Sequence, residues 1–124
     1  SDADVLIHAI CDALLGAANM RDIGTHFPDT DVEFAGIDSK VLLERTVALI
    51  AECGWHVGNV DCTVCAERPK LNPHIVHMQQ TLAPLMDVDA NAVSIKATTT
   101  EQLGFTGREE GISAYATVLI FKKL

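Results

Sequence analysis

Three consecutive threonines and a glutamate give the chain its most chemically suggestive run, Lys96-Ala97-Thr98-Thr99-Thr100-Glu101. Three hydroxyl donors beside a carboxylate suit a phosphate ligand and Mg²⁺, which prefers one or two carboxylates together with phosphate oxygens. The alternative is structural, because threonine is a common strand residue. Just downstream, Gly104-Phe105-Thr106-Gly107-Arg108 gives a tight turn that ends in an arginine suited to bidentate phosphate contact.

A polar stripe runs along the first predicted helix, which is otherwise Ala- and Leu-rich over residues 2–18. Asp4, His8 and Asp12 are spaced by four and therefore lie on one face. His8 is either a core histidine hydrogen-bonded to one of these carboxylates or a metal ligand whose second ring nitrogen a carboxylate holds. The spacing fits both alternatives.

Two irregular segments carry further candidate ligand groups. Residues 19–38 are rich in Gly, Pro and Asp. They form either a solvated acidic loop or a substrate wall, with carboxylates for hydroxyl groups and backbone amides near Gly24 for phosphate. Residues 66–72 join a predicted strand to a predicted helix, and strand ends are favoured ligand sites in α/β sheets. In this segment Lys70 either reaches a phosphate or belongs to an ordinary basic turn.

Cys62 and Cys65 match the C-x-x-C pattern, which can indicate a redox or zinc site. They lie in residues 59–66, which read as a strand, and strand residues three apart point to opposite faces. We therefore expect both cysteines to serve packing.

The hydrophobic patterns predict the elements that position these groups. Helical patterns cover residues 2–18, 39–53 and 72–86, and strand-like patterns cover residues 55–66, 92–99 and 112–121. A helix between two strands favours a parallel crossover, with the last two strands antiparallel. The chain is thus predicted to be a single α+β domain, a mixed sheet with helices packed on one face. Because three strands make a small sheet, we expect that one or more N-terminal strands are missing.

Bulk composition limits the partners. The chain has 124 residues, a net charge of −8 and a pI near 4.9, which argues against nucleic acid or an anionic membrane as partner. No apolar run reaches the roughly 18 residues of a membrane helix, and no signal peptide is visible, so the cytoplasm is the expected location. An acidic protein that binds phosphates needs divalent cations, local basic side chains or backbone amides.

Several of these segments occur together, in this order and at this spacing, in one known family. The chain resembles 2-C-methyl-D-erythritol 2,4-cyclodiphosphate synthases in the segments Ser1 to Gly16, Asp22 to Gly24, Phe27 to Asp31, Gly58 to Asp61, Pro69 to Lys70 and Lys96 to Arg108. The Ala-Thr-Thr-Thr-Glu and Gly-Phe-Thr-Gly-Arg blocks together make the resemblance highly specific.

The resemblance implies an activity and an assembly. Members of the family convert 4-diphosphocytidyl-2-C-methyl-D-erythritol 2-phosphate into the cyclic diphosphate and CMP, in the non-mevalonate isoprenoid pathway. They are homotrimers with each active site between neighbouring subunits. By this resemblance His8 is a ligand of a zinc-type ion, and Glu101 binds a second divalent ion, Mg²⁺ or Mn²⁺, together with substrate phosphates. Thr99 helps to stabilise the transition state.

The resemblance also implies two sets of substrate contacts. The methylerythritol phosphate part is held by Ser1, Asp22, Ile23, Gly24, Phe27, Pro28, Asp29, Thr30 and Asp31. The cytidine diphosphate part is held by Ala66, Glu67, Arg68, Pro69, Lys70, Leu71, Asn72, Thr98, Thr99, Thr100 and Glu101. Further substrate-contacting positions are matched by Phe105 and Arg108.

One departure from the family concerns the zinc site. The resemblance implies that an Asp-x-His ligand pair and a catalytic histidine lie upstream of Ser1. On that basis we expect the single domain of residues 1–124 to lack an N-terminal segment and to bind this metal poorly. The alternative is a non-catalytic trimeric module that binds nucleotides or diphosphates on the same scaffold. The residues that precede Ser1 discriminate between the two.

Overall fold

A computed structural model describes residues 2–123. In chain order its elements are α1 (Asp2–Ala17), α2 (Ile23–His26), α3 (Ser39–Glu52), β1 (Trp55–Cys65), α4 (Ile75–Leu85), β2 (Val93–Thr98), α5 (Gly104–Gly107) and β3 (Ser113–Lys122). Short 3₁₀ turns occupy Asn72–His74 and Ala90–Ala92. The three long helices and three strands appear in the predicted order, and the prediction of an α+β fold is confirmed.

The connecting segments hold more regular structure than their composition predicts. Residues 19–38 read as an irregular loop, yet they contain α2, which begins after the capping residue Asp22. The Asp22 carboxylate accepts hydrogen bonds from the backbone N–H (3.1 Å) and the hydroxyl (2.6 Å) of Thr25. The third long helix starts later than residue 72, because the segment with Pro73 in its first turn forms a 3₁₀ turn before α4.

The sheet has the strand order β2-β1-β3. β1 and β2 are parallel, with Val60 opposite Val93 and Cys65 opposite Thr98, and this confirms the predicted crossover through α4. β3 is antiparallel to the other two strands, as expected, but it pairs with β1 and not with its sequence neighbour β2. The β1–β3 register shifts near Gly58, where a Cβ atom would lie 3.0 Å from the carbonyl oxygen of Leu119.

The hydrophobic core lies between the helices and one face of the sheet. Leu6, Ile10 and Leu14 of α1, and Val60 and Val64 of β1, have no exposed area. Each fully buried aliphatic side chain of this kind stabilises the fold by roughly 1.5–3 kcal/mol. The alternation of buried and exposed residues along β1 follows from the strand periodicity. The described helices therefore cover one face only, as the patterns predict.

The cysteines of the C-x-x-C pattern are free and serve packing. Cys62 belongs to the hydrophobic core, and Cys65 is half-buried. Burial raises the pKa of the Cys62 thiol to about 12, and the nearby charge of Asp61 adds to this effect. A thiol of this kind stays protonated at neutral pH.

The opposite face of the sheet, which none of the described helices covers, mixes charged with apolar side chains. Lys96 and Asp61 form an ion pair (2.9 Å) across β1 and β2, and this lysine holds the pKa of the Asp61 carboxyl below its usual value. On β3, Tyr115, Leu119 and Phe121 are exposed. Within residues 2–123, none of the helices is long and apolar enough to cross a bilayer.

Candidate active site

A pocket of about 340 Å³ opens where the parallel strands β1 and β2 end. Because Cys65 is paired with Thr98, the segments that follow the two strands leave the sheet at the same edge. The backbone N–H of Ala66 donates to the carbonyl of Thr98 (3.0 Å) and extends this contact beyond β1. The pocket is lined by Val64, Ala66, Glu67, Pro69, Lys70, Leu71, Asn72, Pro73, Ala97, Thr98 and Thr99.

This nucleotide pocket, as we name it, joins an apolar wall to a few polar groups. Ala66 and Leu71 are buried, whereas Lys70, Thr98 and Thr99 are exposed and present an ammonium group and two hydroxyls. Such a combination suits a planar group against the wall and an anionic group at its polar end. Of the residues that the resemblance assigns to cytidine diphosphate, the pocket brings together all but Arg68, Thr100 and Glu101, which lie outside its lining.

The loop that follows β2 is held by hydrogen bonds within itself and by hydrogen bonds to Glu67. The backbone N–H of Glu101 donates to the hydroxyl oxygen of Thr99 (3.2 Å), and the Thr100 hydroxyl donates to the carbonyl of Leu103 (2.7 Å). The Glu67 carboxylate accepts from the backbone N–H groups of Thr100 (3.1 Å) and Gln102 (3.0 Å). The structure thus places the Glu67 carboxylate against the loop, while the Glu101 side chain is exposed.

Two arginines outside the lining of the nucleotide pocket are engaged with acidic neighbours. Arg68, whose peptide bond to Pro69 is cis, lies 3.3 Å from a carboxylate oxygen of Glu109. Arg108 follows α5 and pairs with Glu110 at 2.5 Å. These pairs are exposed, so a phosphate can compete for either guanidinium at little loss of stability.

A second pocket, of about 480 Å³, lies between α1 and residues 23–37. Its lining is His8, Ile23, Gly24, Phe27, Pro28, Asp29, Thr30, Phe34, Gly36, Ile37 and Leu42. This loop pocket, as we name it, joins His8 to six of the residues that the resemblance assigns to methylerythritol phosphate. The nucleotide pocket and the loop pocket share no lining residue.

Three other members of that set lie outside the lining of the loop pocket. Asp22 caps α2, and its two hydrogen bonds from Thr25 lower the pKa of its carboxyl. Asp31 accepts a hydrogen bond from the backbone N–H of Glu33 (3.0 Å). Ser1 lies outside the residues that the structure describes.

The polar stripe of α1 anchors the surrounding segments. Asp4 accepts a short hydrogen bond from the Ser39 hydroxyl at the start of α3. Asp12 accepts from the backbone N–H of Ile23 (2.9 Å) at the start of α2. His8 is exposed in the loop pocket, so its interpretation as a core histidine is wrong. The exposed imidazole is accessible to a metal ion, as the metal-ligand interpretation requires.

The two implied metals fit the described residues differently. Zinc needs three or four protein ligands, and residues 2–123 contain no group of three or more His, Cys, Asp or Glu side chains that could hold a metal ion. His8 by itself supplies one imidazole. Mg²⁺ is different, because one exposed carboxylate together with substrate phosphates suffices for it. Glu101, in the loop beside Thr99, meets that requirement.

Two carboxylates have an anchoring role that the sequence does not predict. The spacing places Asp12 in the stripe with His8, and the resemblance implies that Glu67 contacts substrate; in the structure each also binds the main chain of another segment. Their partners lie 11 and 33 to 35 residues away in the chain, and no local spacing encodes such contacts. Only the folded geometry identifies them.

The chain is thus an α+β domain with one ligand pocket at its parallel strand ends and a second pocket under a loop. Similarity to known proteins identifies the family. The chain belongs to the YgbB family, whose profile matches residues 1–121. Curated relatives that it matches include 2-C-methyl-D-erythritol 2,4-cyclodiphosphate synthases. The protein from Bacteroides fragilis is 72% identical over 120 residues, which cover 97% of this chain and 76% of the relative. The Phocaeicola vulgatus protein is 75% identical over 122 residues, 98% of this chain and 76% of the relative.

Solved structures give the same result. The bifunctional IspDF of Campylobacter jejuni matches with a TM-score of 0.90 and 41% identity, over 95% of this chain and 32% of that longer chain. The CDP complex of Plasmodium falciparum IspF matches with a TM-score of 0.85 and 30% identity, over 97% of this chain and 72% of that chain. The expected family and fold are confirmed, and so is the expectation of an enzyme, a lyase of isoprenoid biosynthesis.

Proposed function

We propose that this chain cyclises 4-diphosphocytidyl-2-C-methyl-D-erythritol 2-phosphate to 2-C-methyl-D-erythritol 2,4-cyclodiphosphate and releases CMP. The observation that carries the proposal is the nucleotide pocket at the ends of β1 and β2, with Lys70, Thr98 and Thr99 in its lining. Support comes from relatives that are named for this synthase and from a structural neighbour solved as a CDP complex.

The nucleotide pocket is the proposed site of the cytidine diphosphate part. Its buried wall at Ala66 and Leu71 suits the pyrimidine ring, and exposed backbone in residues 66–72 can read the edge of the base. The Lys70 ammonium and the Thr98 and Thr99 hydroxyls suit the diphosphate oxygens, because charged and hydroxyl donors both bind phosphate. In an acidic protein these local donors are what makes phosphate binding favourable.

The loop pocket is the proposed site of the methylerythritol phosphate part. Asp29 and the exposed Asp22 and Asp31 offer acceptors for hydroxyl groups, and the backbone at Gly24 is accessible to a phosphate. Phe27 and Pro28 provide the apolar contact for the methyl group. His8 is the proposed single ligand that residues 2–123 contribute to a zinc-type ion.

The proposed reaction requires little covalent chemistry from the protein. An oxygen of the 2-phosphate attacks the β-phosphorus, the bond from that phosphorus to the oxygen of CMP breaks, and CMP leaves with the bonding electrons. The chain holds the two ends of the substrate together and neutralises the developing charge with Lys70 and the Thr99 hydroxyl. Glu101 would hold a divalent ion, which would supply further charge stabilisation as a Lewis acid.

A homotrimer is part of the proposal. The nucleotide pocket and the loop pocket share no residue, so the two halves of one active site can come from neighbouring subunits. The uncovered sheet face supports this idea: the side chains of Tyr115 and Leu119 are 65% and 66% exposed, which is unusual for large residues of a single-layer sheet. In a three-fold ring, a heterologous contact of this face with a different surface of the next copy would bury them.

The domain and its location complete the proposal. One core contains residues from α1, α3, α4 and the strands, which supports a single domain over residues 1–124. All four cysteines are free thiols, in keeping with a reducing compartment such as the cytoplasm.

Phosphorus NMR of the full chain with the diphosphocytidyl substrate tests the proposal. With Mg²⁺ and Zn²⁺ present, we expect the signals of CMP and the cyclic diphosphate to appear, and we expect Glu101→Gln to slow their appearance at least about a hundredfold. Substrate that persists unchanged while CDP still binds the chain would overturn the proposed activity and favour the non-catalytic binding module.

A further inference from the structure

The loop between β2 and α5 is held in an unusual backbone conformation. Glu101 has φ of 54° and Gln102 has φ of 66°, so two adjacent residues with side chains lie in the left-handed region. Residues other than glycine, asparagine and aspartate disfavour this region because the Cβ atom crowds the backbone. Such a conformation persists only where the surroundings impose it.

Two contacts on opposite sides of the loop impose this conformation. On one side, the Glu67 carboxylate receives the N–H groups that flank Glu101: Oε2 accepts from Thr100 at 3.1 Å and Oε1 from Gln102 at 3.0 Å. On the other side, Gly107 of α5 touches the same backbone, since a Cβ atom there would lie 2.1 Å from the carbonyl carbon of Gln102.

We propose that Glu67 is a positioning residue for the synthase reaction, and that it acts by shaping this loop rather than by binding substrate. The inference rests on the proposed function, in which the same loop supplies Thr99 and the metal ligand Glu101. Because a carboxylate that accepts backbone N–H groups forms charge-assisted hydrogen bonds, Glu67 can hold both donors more firmly than a neutral acceptor. Each of its oxygens accepts one loop N–H, so the carboxylate is directed at the loop.

The loop explains why a carboxylate is required at this position. The donors of Thr100 and Gln102 converge on two oxygens of one side chain, and a glutamine would present an amide nitrogen to one of them. Without that hydrogen bond, we expect Glu101 to relax from positive φ and the direction of its carboxylate to change. The expected defect is therefore in metal-assisted phosphate binding and not in contacts to the base.

The first test uses the ligand-free protein and does not depend on turnover. In nitrogen–proton NMR spectra we expect Glu67→Gln to move the amide signals of Thr100 and Gln102 upfield. Their hydrogen exchange should become about ten- to a hundredfold faster, as for removal of a charge-assisted hydrogen bond. The control is Glu109→Gln, an exposed acid of the same region that pairs with Arg68. Unchanged Thr100 and Gln102 amides in Glu67→Gln would overturn the positioning role.

The second test separates positioning from direct binding. CDP affinity is measured with and without Mn²⁺. For Glu67→Gln we expect the Mn²⁺-dependent gain in affinity to fall about tenfold, with the affinity in the absence of Mn²⁺ changed less than about twofold. An equal loss under both conditions would show that Glu67 contacts the nucleotide itself, and would overturn the positioning role. An unchanged Mn²⁺-dependent gain would overturn it as well.

A second variant reaches the loop from its other side. Gly107→Ala leaves Glu67 intact but forces the Gln102 backbone to shift, so we expect the same reduction of the Mn²⁺-dependent gain. In turnover assays both variants should raise the Mg²⁺ concentration needed for half-maximal rate. Failure of the unaltered chain to turn over would count against the proposed function alone, because the NMR and Mn²⁺-linked results would still decide the role of Glu67.

Discussion

Lys70 is the residue on which nucleotide binding should depend most. It is the cationic side chain in the lining of the nucleotide pocket. Because a hydrogen bond to a charged group contributes roughly 1.5–3 kcal/mol, we expect Lys70→Ala to weaken CDP binding about ten- to a hundredfold. Titration calorimetry measures the change, and higher salt should reduce the difference between variant and unaltered chain.

The matched control for Lys70→Ala is Lys40→Ala. Lys40 is an exposed lysine at the start of α3, outside the linings of the nucleotide pocket and the loop pocket. It carries the same charge and should leave CDP affinity within about twofold. Equal losses in the two variants would mean that only net charge matters, and the assignment of Lys70 to the diphosphate would then be wrong.

Thiol chemistry tests the burial of individual cysteines. Burial raises the pKa of Cys11 to about 11 and that of Cys62 to about 12, whereas Cys53 is exposed. With a thiol reagent at pH 8 we therefore expect Cys53 to react rapidly and Cys11 and Cys62 to react only after unfolding. Mass spectrometry of the modified peptides identifies the sites. Rapid labelling of Cys62 in the native protein would contradict the strand register.

The same thiols predict how stability depends on pH. Their folded pKa values lie above the ordinary value of 9.0, so the folded chain holds these protons more tightly than the unfolded chain. Stability is then fully present below pH 9 and falls as the pH rises toward 11, by roughly 2–3 kcal/mol for Cys11. Urea titrations at several pH values measure this loss. Cys11→Ala should reduce it.

At the scale of elements, one hydrogen bond ties α1 to the loop pocket. Asp12 lies one turn after His8 and accepts from the backbone N–H of Ile23 (2.9 Å), where α2 begins. We expect Asp12→Ala to leave α1 folded but to speed hydrogen exchange at Ile23 about tenfold. Turnover of the Asp12→Ala variant should also fall, because the loop that faces His8 is no longer held.

The control for Asp12 is Glu44→Ala, which removes an exposed acid of α3 that lies outside the lining of the loop pocket. Both variants should lose less than about 1 kcal/mol of stability in urea unfolding, as is usual for surface substitutions. If Ile23 exchanges at the same rate in both variants, the 2.9 Å hydrogen bond does not hold the loop.

The helices and strands can be predicted from the sequence because burial of one face gives apolar residues a helical or strand spacing. Val60, Cys62 and Val64 alternate with exposed or half-buried residues on β1, and Leu6, Ile10 and Leu14 repeat at helical spacing on α1. The partner of β3 was not readable in this way. Either neighbour satisfies the same hydrophobic pattern, so the choice of β1 depends on packing across the whole sheet.

The candidate site was predictable in its residue types but not in its internal contacts. The threonine run and Lys70 were recognised from chemistry and resemblance, and both line one pocket because β1 and β2 are parallel neighbours. The resemblance implies that Glu67 contacts substrate. Its role in holding the loop could not be predicted, because its hydrogen bonds to Thr100 and Gln102 form only after folding. Anchors of this kind leave no local signature in a single sequence.

At the scale of the whole molecule, the exposed face of β3 decides whether the proposed active site can form. Leu119 is 66% exposed on a sheet face that none of the helices in residues 2–123 covers. In the proposed trimer this side chain is buried between copies, and an arginine there would bring an unpaired charge into an apolar contact. We therefore expect Leu119→Arg to dissociate the assembly and to abolish turnover, because each proposed active site needs two subunits.

Analytical ultracentrifugation and a matched surface variant make this prediction decisive. The unaltered chain should sediment at about three times the monomer mass of 13.3 kDa, and Leu119→Arg at the monomer mass. The control is Val32→Arg, in which the replaced side chain is 91% exposed but lies in a loop, so assembly should persist. A Leu119→Arg chain that still forms trimers would move the subunit contact away from β3. A monomeric variant with full turnover would show that both pockets of one chain form a complete site.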